Sequence, residues 1–256
     1  MSLSRIESVI DALVTARARH RPALVADVAD ALVDAEQAYA VQAGVAQALS
    51  WFANGSPTFW KSGGQSRNAI LTHAALPPDG VWQSPAAAAA WPFNMRCIEA
   101  EVALRLGQPV DAKLAATLDR DSARSLIDAM TVSIEVVDSR WDEGMQAPAL
   151  LRLADLQTHG ALVLGSWVPY AARDWARQIC RVQIGQRAPV ERQGTHPLAD
   201  PTWLLTDWLR HATRDAQVLA AGTIVTTGTW VGVLEARAGD RVSVEFDGIG
   251  SASVQL

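Results

Sequence analysis

The segment 94–106, N-M-R-C-I-E-A-E-V-A-L-R-L, sets Glu99 and Glu101 two residues apart inside an apolar run. In a strand, residues at i and i+2 point to the same face, so the two carboxylates would lie side by side and repel. One chemistry that resolves this is a hard divalent cation, Mg²⁺, Mn²⁺ or Ca²⁺, which takes oxygen ligands. The other is a solvated strand face, with Ile98, Ala100 and Val102 turned to the core, as in any half-buried strand. A third acid would favour the cation. Glu135 and Asp138, in the apolar stretch S-I-E-V-V-D, compete for that place, and one strand presents them to opposite faces.

Further polar residues stand in apolar settings. Lys61, in F-W-K-S-G-G, could carry protons if a partly apolar pocket beside a metal lowers its pKa. On a strand end it would be an ordinary surface lysine. His196, in G-T-H-P-L, opens an expected helix, as a functional group or as a turn residue. His159, in T-H-G-A-L-V-L-G, starts a strand and reads as packing. Arg96, Arg140 and Arg192 are each a candidate carboxylate partner or a surface charge. The chain holds no G-x-S-x-G elbow, H-E-x-x-H, Walker loop or G-x-G-x-x-G. Its ten Trp read mainly as core anchors, with Trp60, Trp82 and Trp230 able to line a pocket.

The elements that would position these groups follow from periodicity. Ile6, Ile10, Leu13 and Val14 give helical spacing over 3–18, which Pro22 ends. A second helix spans about 34–49, with Asp34 as its cap. T-F-W-K-S-G-G reads as a strand. The 75–92 segment reads as loop with one short helix at P-A-A-A-A-A. Helix is expected over 111–129 and 199–214. Strands are expected at 131–138, twice within 159–185, and through the tail. Helices early and strands late predict an α+β class.

At 256 residues, 49% hydrophobic and 19% charged, the chain can bury a sizeable core. The net charge is -5 and the basic residues are scattered, which argues against nucleic acid. No apolar run has membrane-spanning length, so no membrane partner is expected. Acidic residues near the N-terminus do not fit a signal peptide. Cys97 and Cys180, embedded in apolar sequence, read as buried thiols in a reducing cytosol, and a cytoplasmic location is expected.

Seven stretches, in order along nearly the whole chain, resemble the 2-keto-4-pentenoate hydratases and related oxalocrotonate decarboxylases of the fumarylacetoacetate hydrolase superfamily. They are A-E-Q-A-Y-A-V-Q, W-K-S-G, R-C-I-E-A-E-V-A-L-R-L, I-E-V-V-D-S-R, A-D-L-Q-T-H-G-A-L-V-L-G, T-H-P-L-A-D-P-T-W-L and the tail from G-T-I-V-T-T-G-T-W to G-S-A-S-V. The resemblance implies a mixed β-roll with N-terminal and peripheral helices. It implies a helical region at 1–50 packed on a catalytic β-roll at 51–256 as one structural unit, and a homo-oligomer built from dimers. It further implies Mg²⁺ or Mn²⁺ on Glu99, Glu101 and Glu135, which prefers Glu135 over Asp138.

Lys61 falls on the family's active-site lysine, and Asp79, in P-P-D-G-V-W, lies near its acidic loop residue. Ser66, Asp155, Thr158, His196 and Thr229 fall at substrate-binding places. The implied reaction is hydration of a 2-hydroxydienoate by way of its 2-oxo-enoate, through an enolate that the metal stabilises. A 2-oxo acid decarboxylase, an acylpyruvate hydrolase and a non-catalytic partner subunit are the alternatives. Octahedral Mg²⁺ with three protein carboxylates leaves positions for two substrate oxygens and a water. The chain departs from the family in two places. K-S-G-G-Q-S replaces the usual K-x-G-L-T/S, and D-L-Q-T replaces D-N-A-S. Neither touches the metal ligands.

Overall fold

A computed structural model describes residues 4–53, 55–88 and 90–256. Helix α1 (Arg5–Arg19) opens on a capping box: the Ser4 hydroxyl accepts from the Glu7 N–H, and the Glu7 carboxylate accepts from the Ser4 N–H. It covers the expected 3–18 helix from Arg5 on; Ser4 is its extended cap, and residue 3 lies outside the described residues. Helix α2 (Ala35–Ala48) is capped by Asp34, which accepts from the Gln37 N–H, as expected. The chain then forms β1 (Phe59–Gly63), β2 (Thr72–Ala75), β3 (Val81–Gln83), β4 (Ala86–Ala87) and β5 (Cys97–Leu106). Two short helices, α3 (Ala112–Thr117) and α4 (Arg120–Arg124), lead into β6 (Ile127–Val137). Next come α5 (Ala149–Ala154), β7 (His159–Leu164), β8 (Val168–Pro169), β9 (Ile179–Ile184) and β10 (Val190–Gln193). Last are α6 (Leu205–Ala212), β11 (Ile224–Thr226), β12 (Leu234–Glu235), β13 (Arg241–Phe246) and β14 (Gly250–Gln255).

Three local expectations change. The helix expected over 111–129 divides, because Asp111 and Asp119 each cap a new start, accepting from the Leu114 and Ser122 N–H groups, and Leu118 between them is extended. Residues 127–129 belong to β6 instead. In the alanine run, Ala86 and Ala87 form a strand paired in parallel with Val254 and Gln255. Residue 89 of that run lies outside the described residues. Five alanines are too few to nucleate a helix against such pairing. The helix expected at 199–214 begins as a 3₁₀ turn at Pro201–Leu204, and only Leu205–Ala212 is α.

The strands make two curled sheets. The larger runs β2-β1-β11-β5-β6-β7-β3, with β12 also on β5 and β8 also on β6; the smaller runs β10-β9-β13-β14-β4. Strands β13 and β14 pack over β6 and β7. The even residues of β5, Ile98, Ala100, Val102 and Leu104, are wholly buried between the sheets, each aliphatic side chain larger than alanine contributing about 1.5–3 kcal/mol. The odd face of the same strands is buried as well, with Ala103, Leu162 and Leu164 packed against Ala74 and Leu76. A second core joins α1, α2 and α5 around Leu13, Val41, Trp141 and Leu151. No helix among the described residues is long and apolar enough to cross a membrane.

Candidate metal centre and active site

The antiparallel register of β5 on β6 sets Glu99 opposite Glu135 and Glu101 opposite Ser133, all on the odd face. Carboxylate oxygens of Glu99, Glu101 and Glu135 lie within 4.8 Å of one another. Glu101 is 2% exposed and Glu135 not at all, which removes the solvated-face alternative. At an effective dielectric near 20, unit charges this close repel by about 3–4 kcal/mol per pair. Burial, then the charges of Glu135 and Glu101, push Glu99 up to about 8; burial and Glu135 push Glu101 up to about 7.

Their neighbours hold the carboxylates in place. Thr226 of β11 donates its hydroxyl to Glu101, so its 2.8 Å bond to Ser133 Oγ is one that it accepts. Lys61 of β1 pairs in register with Thr226 and reaches Glu135 Oε1 at 2.5 Å, with a second, 3.3 Å bond to the Gln157 carbonyl. Lys61 is only 8% exposed, not a surface lysine. Burial alone would lower its pKa. The charges of Glu135, Glu99 and Glu101 outweigh burial and hold it above the ordinary lysine value, so the expected depression is not found. His159 Nδ1 lies 2.9 Å from the same Glu135 oxygen. Burial keeps His159 neutral, so Nδ1–H donates and Glu135 stays ionised between two donors, its pKa lowered against its burial. Gly160 follows because a Cβ there would stand 2.7 Å from the Val136 carbonyl and from Asp138 Cβ.

Glu135 Oε2 is buried with no hydrogen-bond partner among the described residues. An orphaned buried carboxylate oxygen is costly unless a positive group meets it. Three carboxylates and one ammonium leave two negative charges in excess, which a single divalent cation cancels. The donor set, all hard oxygen, fits Mg²⁺ or a similar ion. Asp138 does not join it. Its Oδ1 accepts the Asn94 and Met95 N–H groups, and its Oδ2 pairs with Arg140 at 3.3 Å.

The triad opens on a cavity of about 580 Å³, the size of a small-molecule site. Lys61, Glu99, Glu101, Thr158 and Thr229 line it, while Glu135 lies behind, joined through Lys61. The remaining expected site residues are elsewhere. Asp79 is exposed on a 3₁₀ turn, and Ser66 is exposed with its hydroxyl accepting from the Asn68 N–H. Asp155 is wholly buried, accepting from Arg140 Nε at 2.7 Å and Arg17 at 3.1 Å. His196 is buried, bonded through Nε2 to the Thr227 carbonyl at 2.9 Å, and held neutral by burial, which pushes it down to about 4. Its neighbour Pro197 does reach the cavity. Of the arginines singled out, Arg140 is buried in the Asp155 and Asp138 pairs, Arg96 stacks on Phe93, and Arg192 bonds the Glu191 carbonyl.

His159 was legible only as packing, and Arg152 and Gln157 on the cavity wall were not singled out. A histidine two dozen residues after a buried glutamate carries no local signal. A second cavity, about 500 Å³, between α2, Trp51, Trp60 and His211 holds none of the expected site residues.

A curled mixed sheet carrying three clustered glutamates and a buried lysine defines a class of metal-site β-roll. Residues 31–256 match the fumarylacetoacetate (FAA) hydrolase C-terminal family, and the chain belongs to it. A curated relative, 2-keto-4-pentenoate hydratase 1 of Dechloromonas aromatica (strain RCB), is 31% identical over 165 residues; the match covers 61% of this chain and 58% of that protein. The fold is that of 4-oxalocrotonate decarboxylase from Pseudomonas putida G7, solved with magnesium and adipate: TM-score 0.82 at 17% identity, over 99% of this chain and 98% of that one. It is also similar to 2-hydroxyhepta-2,4-diene-1,7-dioate isomerase from Mycobacterium marinum, with TM-score 0.57 at 17% identity over 78% and 74% of the two chains.

Proposed function

We propose that this chain is a metal-dependent hydratase, a lyase acting on a 2-hydroxydienoate and its 2-oxo-enoate in the catabolism of aromatic compounds. The observation that carries this is the buried Glu99–Glu101–Glu135 cluster with Lys61 at 2.5 Å from Glu135, opening on one cavity. The hydratase from Dechloromonas aromatica supports it. A divalent cation held by the three glutamates would supply Lewis-acid stabilisation of the charge that develops on a 2-oxo group. Lys61, protonated and lining the cavity, gives its proton to C5 of the dienol and recovers one from the dienol hydroxyl, leaving a 2-oxo-3-enoate; water then adds across C3=C4, its hydroxyl to C4 and its hydrogen to C3. Glu135 keeps that ammonium oriented, and neutral His159 fixes Glu135. Thr226 fixes Glu101 in the same way.

The same reading gives a small-molecule 2-oxo acid substrate, Mg²⁺ or Mn²⁺ as cofactor, and a cytoplasmic homo-oligomer built from dimers. Buried free Cys97 and Cys180 fit a reducing compartment. Ile70, 90% exposed at the cavity, and Val33, 68% exposed, are apolar surface that an oligomer would cover.

Decarboxylation is the second reading. Apart from Lys61 and the glutamates, no acid or histidine among the described residues lines the cavity to activate water. Loss of CO₂ reaches the same enolate without one.

The test is ultraviolet absorbance of 2-hydroxypenta-2,4-dienoate with Mg²⁺, beside CO₂ release from a 2-oxo dicarboxylate and a Glu101→Ala control. Metal-dependent loss of the dienol signal, absent in the control, supports the hydratase. CO₂ release with an unchanged dienol signal moves the assignment to decarboxylase. Neither, with metal still bound, leaves acylpyruvate hydrolysis, and, where that fails too, the non-catalytic partner.

A further inference from the structure

The cavity that holds the carboxylate cluster also carries a cation that the cluster does not use. Lys61, Glu99 and Glu101 enter it from the large sheet; Arg152 enters from α5, with Ala149, Leu150 and Leu153 on the same wall. Arg152 Nε is buried and has no hydrogen-bond partner, and the guanidinium makes no ion pair, among the described residues. Asp155, three residues on, and Asp138 are engaged elsewhere. Both oxygens of Asp155 accept from Arg140, and Oδ1 also accepts from Arg17. Asp138 serves two backbone N–H groups and Arg140. A second donor in the same wall, Gln157 Nε2, is also buried without a partner.

Buried donors without acceptors are costly, and a guanidinium is the side chain whose planar fork matches a carboxylate through two parallel bonds. Leu150, Leu153, Met145 and Val137 supply apolar lining in the same cavity. Such a cavity suits a ligand with a hydrocarbon middle and an anion at each end.

We propose that Arg152, with Gln157 beside it, receives a second carboxylate at the far end of the substrate, so that the chain selects 2-oxo dicarboxylates over 2-oxo monocarboxylates. This rests on the reading of the glutamate cluster as a metal site that takes a 2-oxo acid. Arg152 is here a specificity-determining residue and holds no proton of the reaction.

The test is calorimetric titration of the full chain, with and without Mg²⁺, using 2-oxoadipate and 2-oxohexanoate, which differ in whether the sixth carbon is carboxylate or methyl. With Mg²⁺, the native chain binds 2-oxoadipate about 10- to 100-fold more tightly, the range of a charge-assisted pair. Arg152→Leu loses the preference while 2-oxohexanoate binding stays. Arg152→Lys keeps part of it, since a lysine charge lacks the fork. A Mg²⁺-dependent rise in melting temperature shows that each variant is folded with its metal site intact. Equal binding of both ligands by the native chain overturns the assignment and leaves the metal reading standing. So does equal weakening of both by Arg152→Leu, which would place Arg152 on the carboxylate shared by the two acids. If neither acid binds in a Mg²⁺-dependent way, the reading of the cluster fails and this proposal fails with it.

Discussion

Glu99 and Glu101 share a face because the strand period is two, and they stand opposite Glu135 because of a register no local pattern encodes. The cost of gathering them without metal makes a pH prediction. Both carboxyls titrate far above an unfolded glutamate, at about 8 and about 7. The folded chain then binds more protons than the unfolded one, so metal-free stability falls as pH rises towards 8. Buried His73, His196 and His211, pushed down to about 3, 4 and 4, work the other way, adding stability as pH rises, but only up to the ordinary histidine value near 6.5. The window from about pH 6.5 to 8 therefore isolates the glutamates. Metal-free melting temperature is expected to drop across it, and saturating Mg²⁺ to abolish the drop. A flat metal-free profile would mean that the carboxylates do not repel. Glu99→Gln, which removes one of the carboxyls that burial and its neighbours push up, should leave metal-free stability unchanged or raised while weakening Mg²⁺ binding by about 100-fold or more; His159→Phe, which frees Glu135 to rotate, should weaken it by about 10- to 100-fold. Equilibrium dialysis reads both. The sequence made the paired glutamates and Lys61 visible through their apolar surroundings. His159, whose role depends on one bond across the sheet, looked like any buried aromatic.

Among the elements, α5 and the turn after it shape the cavity wall most directly. Leu156, Gln157 and Thr158 are consecutive non-glycine residues in the left-handed region, with φ of 52°, 57° and 60°. For L-residues this costs about 1–2 kcal/mol each, most for a β-branched one. The turn holds the Gln157 carbonyl against Lys61 and Thr158 at the cavity wall. Gln157→Gly is expected to raise stability by up to about 1 kcal/mol in urea unfolding, and to lower turnover because the Lys61 acceptor loosens. A fall in stability would show that the turn is unstrained. Asp155 just before it fell, by family resemblance, at a substrate position, yet the structure ties it to Arg140 and Arg17. Asp155→Asn leaves two guanidinium groups short of charge in a buried corner and should cost about 3–5 kcal/mol of stability. The elements that the sequence made legible carry their own signals, such as the helical spacing in α1, the cap at Asp34 and the β-branched run in β6. The alanine segment at 86–87 was not legible, because its partner β14 lies more than 160 residues away. The K-S-G-G-Q-S departure has a local reason: a Cβ on Gly64 would stand 2.8 Å from Leu71 Cδ2, so Leu71 fills the space beside Gly64.

At the scale of the molecule the question is whether the helical region at 1–50 and the β-roll at 51–256 are separable. We propose that they form one cooperative unit. The helices have their own apolar cluster, but Trp141, Leu151 and Leu153 from beyond residue 51 are part of it. The backbone is stitched across the boundary. The Ala23 N–H donates to the Arg140 carbonyl at 2.8 Å, the Asp142 N–H returns to the Ala23 carbonyl at 3.0 Å, and the Val25 N–H donates to the Asp142 carboxylate at 2.9 Å. The Arg17–Asp155 pair at 3.1 Å joins α1 to the end of α5, the helix that carries Arg152 into the cavity. Loosening α1 should therefore loosen the metal cavity. Leu13, 1% exposed in the helical cluster, offers the test. Leu13→Ala should cost about 2–5 kcal/mol, lowering the melting temperature by roughly 5–15 °C for a chain of this size. If the two regions are one unit, the variant melts in a single transition, and Mg²⁺ raises that transition as it does in the native chain, because ligand binding stabilises whatever unfolds with the site. If they are separable, Leu13→Ala splits the melt. The early step then ignores Mg²⁺ and the late step keeps the native metal response. Calorimetry with and without Mg²⁺ distinguishes the two outcomes without requiring any activity.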